Sequence, residues 1–135
     1  MNITVISVGK IKEKYFTAAI DEYSKRLSRF AKLNIIEVAD EKIPDNASEK
    51  EMEQIKEKEG NKILAKLPQN SFVVTLCIEG KEHSSEELAK KIADISMTSS
   101  HITFIIGGSL GLSDTVKSKS ALRLSFGKMT LPVSY

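Results

Sequence analysis

One cysteine, no tryptophan and three prolines are all that 135 residues hold of these types. The lone Cys77 excludes an internal disulfide, so the fold needs no oxidising compartment. It stands in an apolar, β-branched run where burial makes a thiol inert. His83 and His101 lie far apart with no cysteine near either, which leaves no zinc-ligand spacing and no expected metal site. Long apolar runs are missing as well. Stretches such as residues 72–78 fall far short of the ~20 residues that cross a bilayer, and Met1 leads into a strand-like run without signal-peptide architecture. A cytoplasmic protein with no membrane partner is expected.

Charge of one sign is also scarce, since the net charge is only +2. That excludes a generic polybasic nucleic-acid binder and leaves local basic faces open. Residues 41–60 carry seven acids and four bases, whereas residues 115–135 carry Lys117, Lys119, Arg123 and Lys128 with no acid. Phosphate-facing surface is therefore expected near the C-terminal end, and Lys10, Lys12 and Lys14 form a second candidate patch. For both sets, solubilising surface is the competing reading. The charged run of residues 49–59 reads as a solvated helix face.

Hydrophobic residues make up 41% of the chain and charged residues 28%, spread throughout, which fits one soluble globular domain over residues 1–135. Residues 3–8 form a β-branched run closed by Gly9, followed by Phe16, Ala19, Ile20, Tyr23, Leu27 and Phe30 at helical spacing. Residues 33–38 read as a second strand. Ser48-Glu49-Lys50-Glu51 is a capping-box signature that opens a helix running to Lys66. A third strand over 72–78 turns at Glu79-Gly80 toward a second capping box, Ser84-Ser85-Glu86-Glu87, whose helix carries Leu88, Ile92 and Ile95. Strand 101–106, a short helix from Ser113 and a final strand over 121–126 complete the order βαβαβαβαβ. Strands joined by helices pair in parallel, and the nearly uninterrupted apolar character of the third and fourth implies burial on both faces. The fold class is α/β, a doubly wound parallel sheet.

Ligands of such sheets settle beyond the carboxyl ends of the strands. Three loops lie there: Glu79-Gly80-Lys81, Gly107-Gly108-Ser109-Leu110-Gly111, and Gly127-Lys128-Met129-Thr130-Leu131-Pro132. Glycine lets a ligand approach the backbone, yet a glycine pair serves a tight turn equally well, and spacing alone leaves both readings open. The first strand ends Val8-Gly9-Lys10, so the dinucleotide fingerprint is absent. No phosphate loop of the G-x-x-x-x-G-K-[ST] type and no G-x-S-x-G elbow exists either. Glu79 is the one carboxylate considered near these loops, with a solvated turn residue as the alternative.

Three segments resemble one family. The opening Ile3-Thr4-Val5-Ile6-Ser7-Val8-Gly9-Lys10-Ile11-Lys12, with Tyr15 and Tyr23 after it, looks like the start of the bacterial 23S rRNA pseudouridine-N3 methyltransferases of the SPOUT class. Phe104-Ile105-Ile106-Gly107-Gly108-Ser109-Leu110-Gly111-Leu112 resembles their glycine-rich loop, and Leu124-Ser125-Phe126-Gly127-Lys128-Met129-Thr130-Leu131-Pro132 their cofactor loop. The match runs in register over residues 1–132. The resemblance implies a homodimeric, S-adenosylmethionine-dependent methyltransferase acting on a pseudouridine of 23S rRNA in the ribosome, with its cofactor in a deep trefoil knot. It carries the cofactor contacts to Leu76, Gly107, Gly108, Ser109, Phe126, Gly127, Lys128, Met129, Thr130 and Leu131, and assigns no catalytic residue.

Past Pro132 the family continues with a histidine, an arginine-bearing helix and an aromatic-basic end, where this sequence reads Val133-Ser134-Tyr135. The sequence leaves open whether the knot is complete, and the expectation is an impaired enzyme. Two alternatives stand beside it: a cofactor- or RNA-binding remnant without turnover, and a different nucleotide-binding α/β protein.

Overall fold

Strand pairing sets the architecture, and every strand pair is parallel. The computed structural model describes residues 2–10, 32–82, 85–108 and 110–125. Along the chain these form β1 (Asn2–Val8), β2 (Lys32–Val38), α1 (Glu49–Lys66), β3 (Phe72–Glu82), α2 (Ser85–Ser96), β4 (His101–Ile106), α3 (Asp114–Ser118) and β5 (Leu122–Ser125). The sheet order is β2-β1-β4-β3-β5.

Burial on both faces explains the apolar character of the central strands. On one face Ile6, Val8, Val38, Val73 and Ile105 meet Ile63 of α1 and Val116 of α3, with Leu112 between them. Alternation along a strand puts Ile3, Val5, Val74, Ile102 and Phe104 on the other face, and all five are buried. Helix α2 packs on β4 and buries Ile92. Removing each such side chain from water contributes about 1.5–3 kcal/mol, which is the main force holding the layers together. Helices against a fully parallel, doubly buried sheet are the α/β arrangement that the sequence pattern implied.

Local signals set the helix starts. Ser48 Oγ accepts from the Glu51 N–H at 3.1 Å, and Glu51 Oε1 accepts from the Ser48 N–H at 3.3 Å, so the capping box closes in both directions. At α3 the Ser113 hydroxyl caps the Val116 N–H at 3.3 Å. Helix α2 begins at Ser85, where its signature places it; Ser84 lies outside the described residues, as do the expected helix around residues 16–30 and residues 126–135.

The third strand departs from expectation. It runs through Glu79-Gly80, where the sequence implied a turn, and ends at Glu82. Its pairing with β5 jumps, so that Leu124 faces both Leu76 and Lys81. Glycine inside a strand marks such irregularities, which absorb extra residues without ending the strand. Strand β5 begins one residue later than expected; the Ala121 N–H donates to the Val73 carbonyl at 2.8 Å just before it.

At the amino end of the sheet, Thr4 Oγ1 and His101 Nε2 are hydrogen-bonded at 2.7 Å. The Thr103 hydroxyl donates to Ser71 Oγ at 3.0 Å nearby. His101 therefore stands at the end of the sheet opposite the strand-exit loops.

Candidate functional site

The chain leaves β1 toward β2 on one side and leaves β4, past β3, toward β5 on the other. Adjacent strands whose exits diverge open a crevice at their carboxyl ends, and that is where open α/β sheets bind ligands. At that end of this sheet Gly9 follows β1 and the Gly107–Gly111 loop follows β4, which is where such a crevice would lie.

That loop folds back on itself. Gly108 and Gly111 form an isolated antiparallel bridge, with the Gly111 N–H donating to the Gly108 carbonyl at 3.0 Å. Gly111 has φ +84°, a conformation that L side chains rarely adopt. A Cβ on Gly107 would fall 2.8 Å from the Gly111 carbonyl carbon and 3.0 Å from its oxygen, which are backbone atoms that cannot swing aside. Turn geometry alone thus demands glycine at 107 and 111. The loop's residues 107, 108, 110 and 111 are half-buried, so its backbone faces solvent on one side.

Beneath the loop lies Glu59 of α1. A Cβ on Gly108 would sit 3.2 Å from Val8 Cγ1 and 3.3 and 3.5 Å from the two Glu59 carboxylate oxygens. Glu59 Oε2 accepts from the Glu41 N–H at 2.9 Å, tying α1 to the segment after β2. Lys62, one turn on, pairs with Glu41 Oε1 at 3.1 Å and donates to the Ala39 carbonyl at 3.1 Å. Gly60 lets α1 come this close, because a Cβ there would meet Ser113 Oγ at 2.6 Å. The exits of β2 and β4 are therefore clamped to one stretch of α1, residues 59–62.

Sequence reasoning missed Glu59. The run 49–59 was read as a solvated face, which suits the exposed Glu49, Glu51 and Glu53 but not Glu59, which is only 5% exposed. Its one legible signal is the following Gly60, since glycine inside a helix costs about 1 kcal/mol and needs a packing reason.

Of the residues expected to contact cofactor, Leu76, Gly107 and Gly108 are brought together at the carboxyl end of β4. Leu76 pairs in register with Ile106, the residue before the loop, and Leu124 of β5 faces Leu76 on its other side. Ser109, Phe126, Gly127, Lys128, Met129, Thr130 and Leu131 lie outside the described residues. Of the basic sets, Arg123 Nη2 donates to the Lys117 carbonyl at 3.4 Å, which joins those two residues, and Lys119 is exposed close by. Lys10 is exposed beside the crevice, while Lys12 and Lys14 are outside the described residues. Glu79 lies within β3 rather than on a turn.

An open groove of about 290 Å³ flanks the loop, lined by Glu49, Met52, Glu53, Lys56 and Leu110. Its carboxylates make it a poor surface for an RNA phosphate. Among the described residues no cluster of three or more His, Cys, Asp or Glu side chains is placed to hold a metal, and no helix is long and apolar enough to cross a membrane.

Comparison with known proteins matches this arrangement. The sequence model described as "Predicted SPOUT methyltransferase" aligns with residues 1–134. The protein named Ribosomal RNA large subunit methyltransferase H from Clostridium botulinum (strain Kyoto / Type A2) is 62% identical over 133 residues, 98% of this chain and 84% of the relative. Proteins of the same name from Clostridium novyi (strain NT) and Clostridioides difficile (strain 630) are 59% and 58% identical over the same shares of both chains. A likeness of this extent, on an all-parallel α/β sheet with a glycine loop at its switch point, means that the chain belongs to the SPOUT methyltransferase family.

Proposed function

We propose that this methyltransferase uses S-adenosylmethionine to methylate large-subunit ribosomal RNA, at N3 of a pseudouridine of 23S rRNA in the assembled ribosome. The name shared by its relatives supports the RNA substrate. The resemblance of residues 104–112 and 124–132 to the family's cofactor segments supports the cofactor and the position methylated. The observation that carries the reading is the juxtaposition of Leu76 of β3 with the Gly107–Gly108 loop at the carboxyl end of the adjacent parallel β4.

The residues present fit such a cofactor. Half-buried Leu76 offers apolar surface for an adenine ring, and the half-buried backbone at Gly107 and Gly108 offers polar groups. Bound there, S-adenosylmethionine supplies an electrophilic methyl group on a sulfonium. What the chain adds is alignment. A loop locked by the Gly108–Gly111 bridge and seated on α1 holds its backbone groups in place before a ligand arrives, which removes part of the entropic cost of the reaction. Lys10 at the rim and the Lys117, Lys119 and Arg123 group offer phosphate contacts that orient the RNA. The family's working form, a homodimer in the cytoplasm, is part of this proposal.

The test is transfer of labelled methyl from S-adenosylmethionine to ribosomes from a strain lacking the modification. It is run with this chain and with the chain extended after Pro132 by a relative's C-terminal segment. The expected result is label in one 23S pseudouridine. Label in neither preparation, or label in protein or tRNA instead, overturns the reading.

A further inference from the structure

Glu59 is an acidic side chain placed in the protein interior with no countercharge among the described residues. Only 5% of its surface is exposed. Oε2 accepts the Glu41 N–H, but among the described residues Oε1 has no hydrogen-bond partner and no cationic nitrogen pairs with either oxygen. The nearby Lys62 is engaged by Glu41 Oε1 and the Ala39 carbonyl. Stripping water from a carboxylate without pairing it is costly, and such groups persist where function requires them. Nor is the placement loose, because the Gly60–Ser113 contact fixes that turn of α1 and leaves the carboxylate against Gly108.

A negative charge under the cofactor loop does one thing that packing alone does not: it separates ligands by charge. The methyl donor carries a sulfonium, whereas the spent product is the neutral thioether, and the two share every other group. Apolar Leu76 and the loop backbone meet both alike. A buried carboxylate does not, because its field is screened far less than that of an exposed acid such as Asp40. We infer that Glu59 biases this site toward the charged methyl donor and against the thioether product, so that the product leaves readily after each transfer. The inference rests on the placement of the cofactor under Proposed function. No contact between Glu59 and the reacting atoms is required, and its role is electrostatic.

Calorimetry with S-adenosylmethionine and with S-adenosylhomocysteine separates the possibilities, using the wild-type chain, Glu59→Gln and Glu59→Asp. Glutamine keeps the shape and the acceptor for Glu41 while removing the charge. Its Kd for S-adenosylmethionine should rise about tenfold, the size of a lost charged interaction, while that for S-adenosylhomocysteine stays nearly unchanged. Aspartate retains the charge and shortens the reach, so it should weaken both ligands together and keep the preference; it decides the question alone if the glutamine variant does not fold. Proportional weakening of both ligands by glutamine, no change in either, or loss of preference with aspartate overturns the inference. If the wild-type chain binds neither ligand, or Gly107→Val leaves both affinities intact, the cofactor placement itself is wrong and the inference falls with it.

Discussion

Ser113 Oγ lies 2.6 Å from where a Cβ on Gly60 would stand, so α1 rests on the N-cap of α3 with no side chain between them. Gly60→Ala gains about 1 kcal/mol of helix propensity but crowds Val116 and displaces the capping hydroxyl, which costs more. The expected outcome is a net loss of about 1 kcal/mol in urea unfolding. Gly60→Ala combined with Ser113→Ala should be less destabilised than the sum of the two single changes, because both act on one contact.

Gly107 and Gly111 are glycines for different reasons, and their alanine variants should part accordingly. A Cβ at 107 strikes loop backbone, so Gly107→Ala forces the loop open and should lower affinity for S-adenosylmethionine by at least about tenfold. A Cβ at 111 meets nothing within 4 Å, and only its positive φ resists, so Gly111→Ala should cost about 1–2 kcal/mol of stability. Gly111→Asn should recover much of that loss, since asparagine tolerates the left-handed region. Thermal unfolding and calorimetry on the three variants read both effects.

Phe104 is fully buried in the central β4. Phe104→Ala should cost about 3–5 kcal/mol by urea denaturation, enough to unfold a marginally stable domain at physiological temperature. Ile35 on the edge strand β2 is 44% exposed, and truncating it to alanine should cost well under half as much.

The capping box offers a milder check. Ser48→Ala removes the acceptor for the Glu51 N–H at an exposed helix start and should destabilise by about 1 kcal/mol in urea unfolding.

How far the sequence could be read depended on whether a signal was local. Ser48-Glu49-Lys50-Glu51 showed the start of α1 because a capping box is complete within four residues. The nearly uninterrupted apolar stretch at 101–106 showed a doubly buried strand, and β4 is central in the sheet. The strand order was not legible, because the placing of β4 between β1 and β3 depends on contacts distant in sequence. Glu79-Gly80 misled for a related reason: Gly80 reads as a turn, yet pairing with β5 carries the strand through it. Glu59 was hidden among charged neighbours, since the burial of one acid in a run of acids is decided by the loop that folds over it. Gly107 and Gly108 were found, but the sequence could not say that Gly107 is required by the loop's own backbone and Gly108 by Val8 and Glu59 below it.

A structure of the chain loaded with S-adenosylhomocysteine tests the central claim most directly. The account predicts the ligand at the carboxyl end of β4, touching Leu76 of β3 and the backbone of Gly107 and Gly108, with the Gly108–Gly111 bridge intact. A ligand seated in the groove of Met52, Lys56 and Leu110, or at the amino end of the sheet beside His101, would contradict it.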